Sequence, residues 1–260
     1  MSAHGNVGNE PDVLQAAPRV HVWTMSTAGL DEAAVAPWRA SLDAAERARA
    51  DRFAFPAGRV TYIAAHALAR AALAGAAGVP PSAFAFLADR HGKPSAWIGG
   101  RPVAVSFNLS HTTGLVGIAL APVAGLALGF DLEPRARRAP LEVARRFFTA
   151  TEAEWLEALP EAEQGEGFFR LWTLKEAFVK ATGKGLTQDL SSFWFRVHPP
   201  AIAFAPDLPE RDSDWQFEQA VVEGAFVAAL GLRRPAGGAV PVVWHGVAPG
   251  GFDPAVPLRA

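Results

Sequence analysis

The chain contains no cysteine among its 260 residues. This absence excludes disulfide bonds, thiolate nucleophiles and zinc sites with cysteine ligands. The formal net charge is only −2, so no overall field favours nucleic acid as a partner. We find no apolar run long enough to span a membrane, and the first residues lack the pattern of a signal peptide. We therefore expect a cytoplasmic protein that binds neither nucleic acid nor membrane.

What the sequence has is apolar bulk, since half of the residues are hydrophobic and can form a sizeable core. Residues 1–18 are rich in Gly, Asn and Pro and are expected to form a disordered tail. Helical periodicity then predicts two long helices, over residues 58–79 and 167–182. Short alternating segments around these helices predict strands, of which 125–134 ends at a proline.

Each half of the chain therefore has one long helix and several strands in a similar order. This order predicts an α+β fold of two layers with two pseudo-symmetric subdomains. Each subdomain would pack a long helix on a small, mainly antiparallel sheet. We expect the N-terminal subdomain to span residues 19–125 and the C-terminal subdomain to span 126–260.

Two carboxylates stand at the end of the apolar strand "GLALGFDLEP". Asp131 and Glu133 are two residues apart, so the period of a strand places both side chains on one face. Two like charges this close repel each other unless a cation lies between them. Oxygen ligands without His or Cys favour Mg²⁺ over zinc. The alternative is an exposed strand end with two ordinary surface acids.

The second long helix contains the stretch "LWTLKEAFVKATGKGL", in which charged residues interrupt an apolar sequence. Glu176 and Lys180 lie on one face and could form a simple salt bridge. However, Trp172 and Phe178 predict a buried helix, and charges at a buried surface usually have partners or a function. Glu176 could complete a magnesium site, and Lys180 could contact a phosphate.

The segment "FNLSHTTG" places Ser110 beside His111 in a strand and turn. A Ser-His pair could belong to a hydrolase, but the G-x-S-x-G motif of such enzymes is absent. Both side chains could instead bind a phosphate, or the segment could be an ordinary turn. Lys93, in the turn "HGKP", would usually be solvated. Arginines concentrate in residues 46–53 and 133–146. They could form ordinary solvated helix faces, or they could bind phosphates or an acidic partner.

Taken in order, these motifs resemble the 4′-phosphopantetheinyl transferases of the Sfp type. The motifs are G-x-D-x-E, F-F-T-x-x-E and W-x-x-K-E-A-x-x-K-x-x-G-x-G-L, preceded by G-K-P and F-N-x-S-H-x-x-G. The resemblance runs from about Asp43 to Leu186. It implies transfer of the 4′-phosphopantetheine arm of coenzyme A to a serine of an apo acyl or peptidyl carrier protein. The other product is adenosine 3′,5′-bisphosphate, and the active site is expected at the seam between the halves.

The resemblance also implies roles for individual residues. The Mg²⁺ ligands, with Mn²⁺ as an alternative metal, would be Asp131, Glu133 and Glu176. The residues with catalytic roles would be Asp131, Glu176 and Lys180, of which Lys180 holds the pyrophosphate. The residues that contact coenzyme A would be Arg47, Arg49, Lys93, Ser110, His111 and Lys180. Glu152 matches an acid that would help the metal site.

The chain departs from its relatives in the first long helix. Many relatives carry an arginine where this chain has Thr61 or His66, and Arg59 and Arg70 flank that gap. Which base meets the nucleotide there is left open by the sequence. The carrier protein is expected to dock on the arginines that follow the strand with the two carboxylates, namely Arg137, Arg138, Arg145 and Arg146.

Two other functions are open on the sequence alone. The chain could be a non-catalytic module that binds coenzyme A or a carrier protein, although the four charged residues of the site are intact. It could also be a Mg²⁺-dependent hydrolase of nucleotide pyrophosphates. The sequence does not decide whether Glu176 or a metal-bound water accepts the serine proton, nor which pathway supplies the carrier. Polyketide and nonribosomal peptide synthesis are among the candidates. Because two halves in one chain can build a whole site, we expect a monomer.

Overall fold

A computed structural model describes most of the chain as a mixed α+β structure of helices and small, mainly antiparallel sheets, which confirms the predicted fold class. The predicted tail and the docking candidate Arg137 lie outside the described residues. The described residues are 19–89, 92–136, 138–236 and 238–259.

The first half contains six strands and three helices. In chain order they are β1 (Val20–Ser26), α1 (Glu32–Val35), α2 (Ala44–Ala50), α3 (Pro56–Ala77), β2 (Phe84–Ala88), β3 (Pro94–Ile98), β4 (Arg101–Pro102), β5 (Ser106–Thr112) and β6 (Leu115–Ala121). Proline at the first position of α3 is preset for a helix, and Gly78 ends it in the left-handed conformation with φ 66°.

The second half also has three helices and six strands among the described residues, but its small sheet has one strand less than that of the first half, and β12 is added at its end. In chain order its elements are β7 (Leu128–Pro134), α4 (Leu141–Phe147), α5 (Ala150–Ala158), α6 (Glu161–Thr182), β8 (Phe193–Arg196), β9 (Ala201–Phe204), β10 (Trp215–Val222), β11 (Phe226–Arg233) and β12 (Val242–Val247). Helices α3 and α6 have 22 residues each. The helix α6 begins six residues earlier than the sequence pattern predicts and ends as predicted, at Gly183.

The two main sheets have corresponding orders, β5-β6-β1 in the first half and β10-β11-β7 in the second. Two small sheets, β2-β3-β4 and β8-β9, follow the long helices at equivalent places. The sequence did not predict β12, which pairs in parallel with β1, with Val20 opposite Val242. The proposed division of the chain at residue 125 stays a prediction, and β12 extends the sheet of the first half.

The core has three parts. Helix α3 packs on its sheet around Leu68 and Ile118, and α6 packs on its own sheet around Phe178. A third cluster joins the two sheets and includes Phe130 and Leu230. These layers place β5 of the first half against β7 of the second, where the motif residues lie.

Helix α3 corrects one expectation, because by length and composition it could cross a membrane. However, 72% of its apolar window is buried inside the protein. The core helix of a soluble protein passes the same test, so this single helix is weak evidence for a membrane span. Its apolar surface is explained by the core that it forms with β1 and β6.

Candidate active site

Side chains of β5 bridge the two halves of the molecule. The Asn108 side-chain oxygen accepts a hydrogen bond from the Phe130 amide at 3.0 Å, and the Ser110 hydroxyl accepts one from the Leu132 amide at 3.2 Å. Both polar side chains are buried. Asn108 and Ser110 are two residues apart on β5, so their side chains lie on one face and bind every second amide of β7. These bonds fix the backbone of β7. Asp131 lies between the two bonded amides.

Asp131 is buried at this seam and accepts two hydrogen bonds, one from a hydroxyl group and one from an ammonium group. Its Oδ1 accepts from the Ser110 hydroxyl at 3.0 Å and from the Lys180 ammonium at 2.6 Å. Its Oδ2 is buried, and no described residue donates a hydrogen bond to it. A buried carboxylate oxygen without a donor is costly, so this atom is a candidate ligand for a cation. Glu133, two residues later on β7, is half-buried.

Two lysines from opposite halves meet at the seam. Besides Asp131, the Lys180 ammonium contacts the Phe130 carbonyl at 3.1 Å. The Lys93 ammonium donates to the Leu128 carbonyl at 3.3 Å and to the backbone carbonyl of Lys180 at 3.1 Å. Burial lowers the pKa of Lys93, and the nearby Asp89 partly opposes this shift. Lys93 therefore ties the β2–β3 turn to both β7 and the end of α6.

Glu176 lies one helical turn before Lys180 and is half-buried. Burial raises the pKa of Glu176, the negative charge of Asp131 raises it further, and Lys180 opposes the shift. Glu176 lines the groove from α6, while Asp131 lies on β7, so the two acids come from different elements. Their role as metal ligands stays a prediction.

A groove of about 740 Å³ runs along this seam. Residues of both halves line it, among them Lys93, Asn108, Trp172, Glu176, Lys180 and Leu190. Its volume is in the range of cofactor and ligand sites. The groove combines apolar walls with two ammonium groups, which suits a long ligand that carries phosphates at one end.

The remaining candidates of the first half lie beside α3. His111 is exposed at the surface, but the protein around its ring partly desolvates the ring, and this lowers the pKa of His111. The charges of Lys180 and His66 lower this pKa further, and the charge of Asp131 opposes the shift. The ring of His66 packs against that of Tyr62 at 4.1 Å, and the Arg49 guanidinium lies 5.9 Å from the Tyr62 ring centroid. These contacts lead from Arg49 across α3 towards the seam.

Arg47 differs from Arg49 because its guanidinium donates to the Leu42 carbonyl, just before its own helix. The bases that flank the gap in α3 are also engaged. Arg70 has no solvent exposure and bonds to Glu46, and Arg59 bonds to Glu32. Of the side chains considered for that gap, His66 is the one that acts electrostatically on His111.

Glu152 does not have the role that the resemblance implied. One carboxylate oxygen accepts from the Phe195 amide at 2.9 Å. The other contacts the Lys175 ammonium at 2.9 Å and the Thr149 hydroxyl at 2.9 Å. Both oxygens are thus engaged in the core of the second half. The expectation that Glu152 helps the metal site is wrong.

The ligand set for a metal is only partly assembled. Within the described ranges, no group of three His, Asp or Glu side chains is gathered as a metal cluster. The unpaired Oδ2 of Asp131 and the neighbouring acid Glu176 fit a hard cation that takes carboxylate oxygens and further ligands from a substrate. The residues therefore fit Mg²⁺ as a metal that binds together with phosphates.

Sequence reasoning gave no role to Asn108 and Lys175, although both stand in the motifs. Asn108 was visible in the motif "FNLSH", two residues before Ser110, and this spacing could have indicated a second side chain on the same face of the strand. The helical spacing puts Lys175 on the face of Leu171 and Phe178, but it does not indicate which face of the helix is fully buried and which lines a groove. That distinction depends on the packing of α6.

Comparison with known proteins gives one consistent result. The family model described as "4′-phosphopantetheinyl transferase superfamily" matches residues 127–230. The 4′-phosphopantetheinyl transferase HetI of Nostoc sp. is 32% identical over 251 residues, which cover 94% of this chain and 100% of the relative. The enzyme psf-1 of Bacillus pumilus is 31% identical over 74% of this chain and 78% of its own. Sfp of Bacillus subtilis is 33% identical over 58% of this chain and 63% of its own.

Proposed function

Because the chain belongs to the 4′-phosphopantetheinyl transferase superfamily, we propose that it transfers the 4′-phosphopantetheine arm of coenzyme A to a serine of an apo acyl or peptidyl carrier protein. The observation that carries this proposal is the ion pair of Lys180 with the buried Asp131, behind a groove between the halves that Glu176 and Lys180 line. The enzyme would act as a monomer in the cytoplasm.

The reaction exchanges a phosphoanhydride bond for a phosphate ester bond. The serine oxygen attacks the β-phosphorus of coenzyme A and forms a new P–O bond. The bond from that phosphorus to the bridging oxygen breaks, and its electron pair leaves with adenosine 3′,5′-bisphosphate. The serine proton passes to a base. No covalent intermediate with the enzyme is needed, which is consistent with a chain without cysteine.

The residues of the groove match these needs. Lys180, partly exposed, can leave Asp131 and hold the pyrophosphate, where negative charge builds up in the transition state. Ser110 bonds to Asp131 and Lys180, and His111 lies on the other face of β5, beside α3. Both would contact coenzyme A, and Lys93 and Arg49 would contact the nucleotide. Burial and Asp131 raise the pKa of Glu176, which makes its carboxylate a stronger base than an ordinary glutamate.

Asp131 and Glu176 would hold Mg²⁺, or Mn²⁺, with Glu133 as a third acid on β7. When bound, the metal would neutralise charge on the pyrophosphate oxygens. Asp131 is held in place for this by Ser110, since the hydroxyl binds its Oδ1 and leaves Oδ2 without a donor among the described residues.

The carrier protein would dock where α4 meets the groove. Phe147, at the end of α4, is 43% exposed and lines the groove. The Arg146 guanidinium lies 5.1 Å from the Phe147 ring centroid, and Arg145 is exposed beside it. An apolar side chain with flanking arginines suits an acidic protein with an apolar contact point. Arg138 is also exposed in this region.

Replacing Arg146 by glutamate is expected to raise the KM for the carrier protein about tenfold, because it places like charges opposite each other. The KM for coenzyme A should stay unchanged. Steady-state kinetics with each substrate varied would measure both. Arg211→Glu, a reversal at an exposed arginine that is not part of the groove, is the matched control. Equal effects of the two reversals on the carrier KM would reject docking at α4.

The proposed function is tested by intact-protein mass spectrometry of apo carrier proteins after incubation with the enzyme, coenzyme A and Mg²⁺. A mass gain of one phosphopantetheine, lost with EDTA, is the expected result. No gain with several carrier types, although coenzyme A binds, would indicate a binding module. Release of free phosphopantetheine without a carrier would indicate a hydrolase.

A further inference from the structure

A lysine with no solvent exposure lies directly before Glu176 on α6. The Lys175 ammonium donates to the Leu190 and Phe193 carbonyls at 2.8 Å each and pairs with Glu152 at 2.9 Å. These contacts use all three N–H bonds of an ammonium group. Burial lowers the pKa of Lys175, and the charge of Glu152 opposes the shift. Such a buried charge is stabilised by these partners.

The Leu190 carbonyl belongs to a segment that forms a wall of the groove, and the Phe193 carbonyl follows this segment at the start of β8. Thr187, Gln188, Asp189 and Leu190 line the groove. Between the end of α6 and β8, this segment has only two short 3-10 turns, Gly185–Thr187 and Leu190–Ser192. In the described structure no strand pairs with it before β8 begins at Phe193. Leu190 packs on the core of the second half, and the Ser192 carbonyl accepts a hydrogen bond from the Ala205 amide at 2.9 Å. The position of the rest of the segment depends on polar contacts.

Those contacts are partly local. The Asp189 side chain caps the turn by accepting from the Ser191 amide at 2.9 Å, and Gln188 donates to the Ser192 hydroxyl at 3.1 Å. Local bonds give the segment a shape but do not fix it relative to the catalytic helix. Lys175 supplies that connection, because its side chain extends from α6 to the backbone at both ends of the second turn.

The same side chain fixes the rotation of α6. Successive residues of an α-helix are about 100° apart around the axis. With Lys175 held in the core, Trp172, Glu176 and Lys180 face the groove at spacings of four residues. The Lys175–Glu152 pair thus connects the direction of Glu176 with the position of the opposite wall.

The first half contains an equivalent pair, which shows what is particular to Lys175. Arg70 lies fourteen positions after the first residue of α3, as Lys175 does after the first residue of α6 (56 to 70 and 161 to 175). Arg70 also bonds to an acid of a capping box, Glu46, and to the carbonyls of Pro81 and Phe84. Those two residues are not among the groove lining, whereas Leu190 is.

We propose that Lys175 is a positioning residue that sets the width of the groove for the pantetheine arm, by holding the wall of residues 187–190 against α6. This inference rests on the proposed function, since it assumes that the groove takes coenzyme A. Lys175 does not contact the substrate in this proposal. The effect passes through the two carbonyl bonds.

The test compares three variants of the full chain with the wild type. Lys175→Met/Glu152→Gln removes both charges, so neither is left buried without a partner, but it releases the wall. We expect the KM for coenzyme A to rise at least about tenfold, as for losses of supporting contacts, with kcat changed less than about threefold. Hydrogen exchange measured by mass spectrometry should become faster at the amides of residues 187–193.

Two controls separate positioning from stability. Glu152→Gln lowers stability but leaves the lysine bonds to Leu190 and Phe193, so it should keep the wall slow to exchange and the KM nearly unchanged. Leu68→Ala, fully buried in the other core, lowers the melting temperature without touching the wall. An unchanged KM in the double variant would overturn the inference. The inference would also fail if KM and kcat of the double variant changed in the same proportion as those of Leu68→Ala.

The two proposals fail differently. If the wild-type protein neither binds coenzyme A nor modifies a carrier, the proposed function is wrong. In that case the exchange measurement still decides whether Lys175 holds the wall. Unchanged exchange at residues 187–193 in the folded double variant would overturn that role whatever the enzyme does.

Discussion

Replacing Asp131 by asparagine is expected to reduce transfer of phosphopantetheine by about 10²–10³-fold while the protein stays folded. The substitution removes the charge next to Glu176 and Lys180 but keeps the shape of the side chain. An asparagine oxygen can still accept the hydrogen bond from Ser110. Lys180 has 28% of its side chain exposed and keeps its contact with the Phe130 carbonyl, so it is not left buried and unpaired.

Kinetics and thermal unfolding of the same preparation would check this expectation. Asp214→Asn is the matched control, because Asp214 is also an acid paired with a base, Arg233, but it is exposed at the start of β10. Loss of one exposed ion pair costs at most about 1 kcal/mol and should leave transfer intact. Near-normal transfer by Asp131→Asn at saturating Mg²⁺ would contradict the assignment of Asp131 to the site.

Local patterns were enough to predict the elements around the site. The alternation in "GLALGFDLEP" predicted β7 and the direction of Asp131, and the helical spacing of Glu176 and Lys180 predicted that both would face the same region. These are short-range properties, since side-chain direction follows from the period of the element. The capping box that starts α2 is equally local, because it needs only Asp43 and Glu46 at a spacing of three residues.

Long-range contacts could not be predicted in the same way. The pairing of β12 with β1 joins residues from opposite ends of the chain, and nothing in either strand specifies the other. Glu152 has the sequence context of a site residue, yet its partner is Lys175, which the fold turns into the core. Lys93 looked like a solvated turn residue, but the packing of the two halves places carbonyls of β7 and α6 around its ammonium. In each case the partner comes from another element.

The first residue of the G-x-D-x-E motif has a structural role that composition did not reveal. A Cβ on Gly129 would lie 2.0 Å from the Ala177 carbonyl oxygen and 2.4 Å from the Ala181 amide nitrogen. Both contacts are to backbone atoms of α6, which cannot rotate away. Gly129 therefore allows α6 to cross β7 at close range, two residues before Asp131 and beside the turn that carries Lys180.

Gly129→Ala is accordingly expected to lower the free energy of unfolding by about 3 kcal/mol, because α6 must move away from β7 to accept one methyl group. The movement would also separate Glu176 and Lys180 from Asp131, so transfer should fall even in the fraction that stays folded. Chemical denaturation and kinetics on the same variant would measure the two effects. An intact fold with unchanged transfer would show that the two elements can separate without cost.

Gly246→Ala provides the control for this change. Gly246 lies in β12, its φ is not positive, and a Cβ there would meet no atom within 4 Å. The same chemical change should therefore alter stability by less than about 0.5 kcal/mol. If both variants lost the same stability, the loss would come from exchanging glycine in a strand and not from the crossing of α6. A loss confined to Gly129→Ala would show that the motif glycine is required because it sets the distance between the acid on β7 and the charged face of α6.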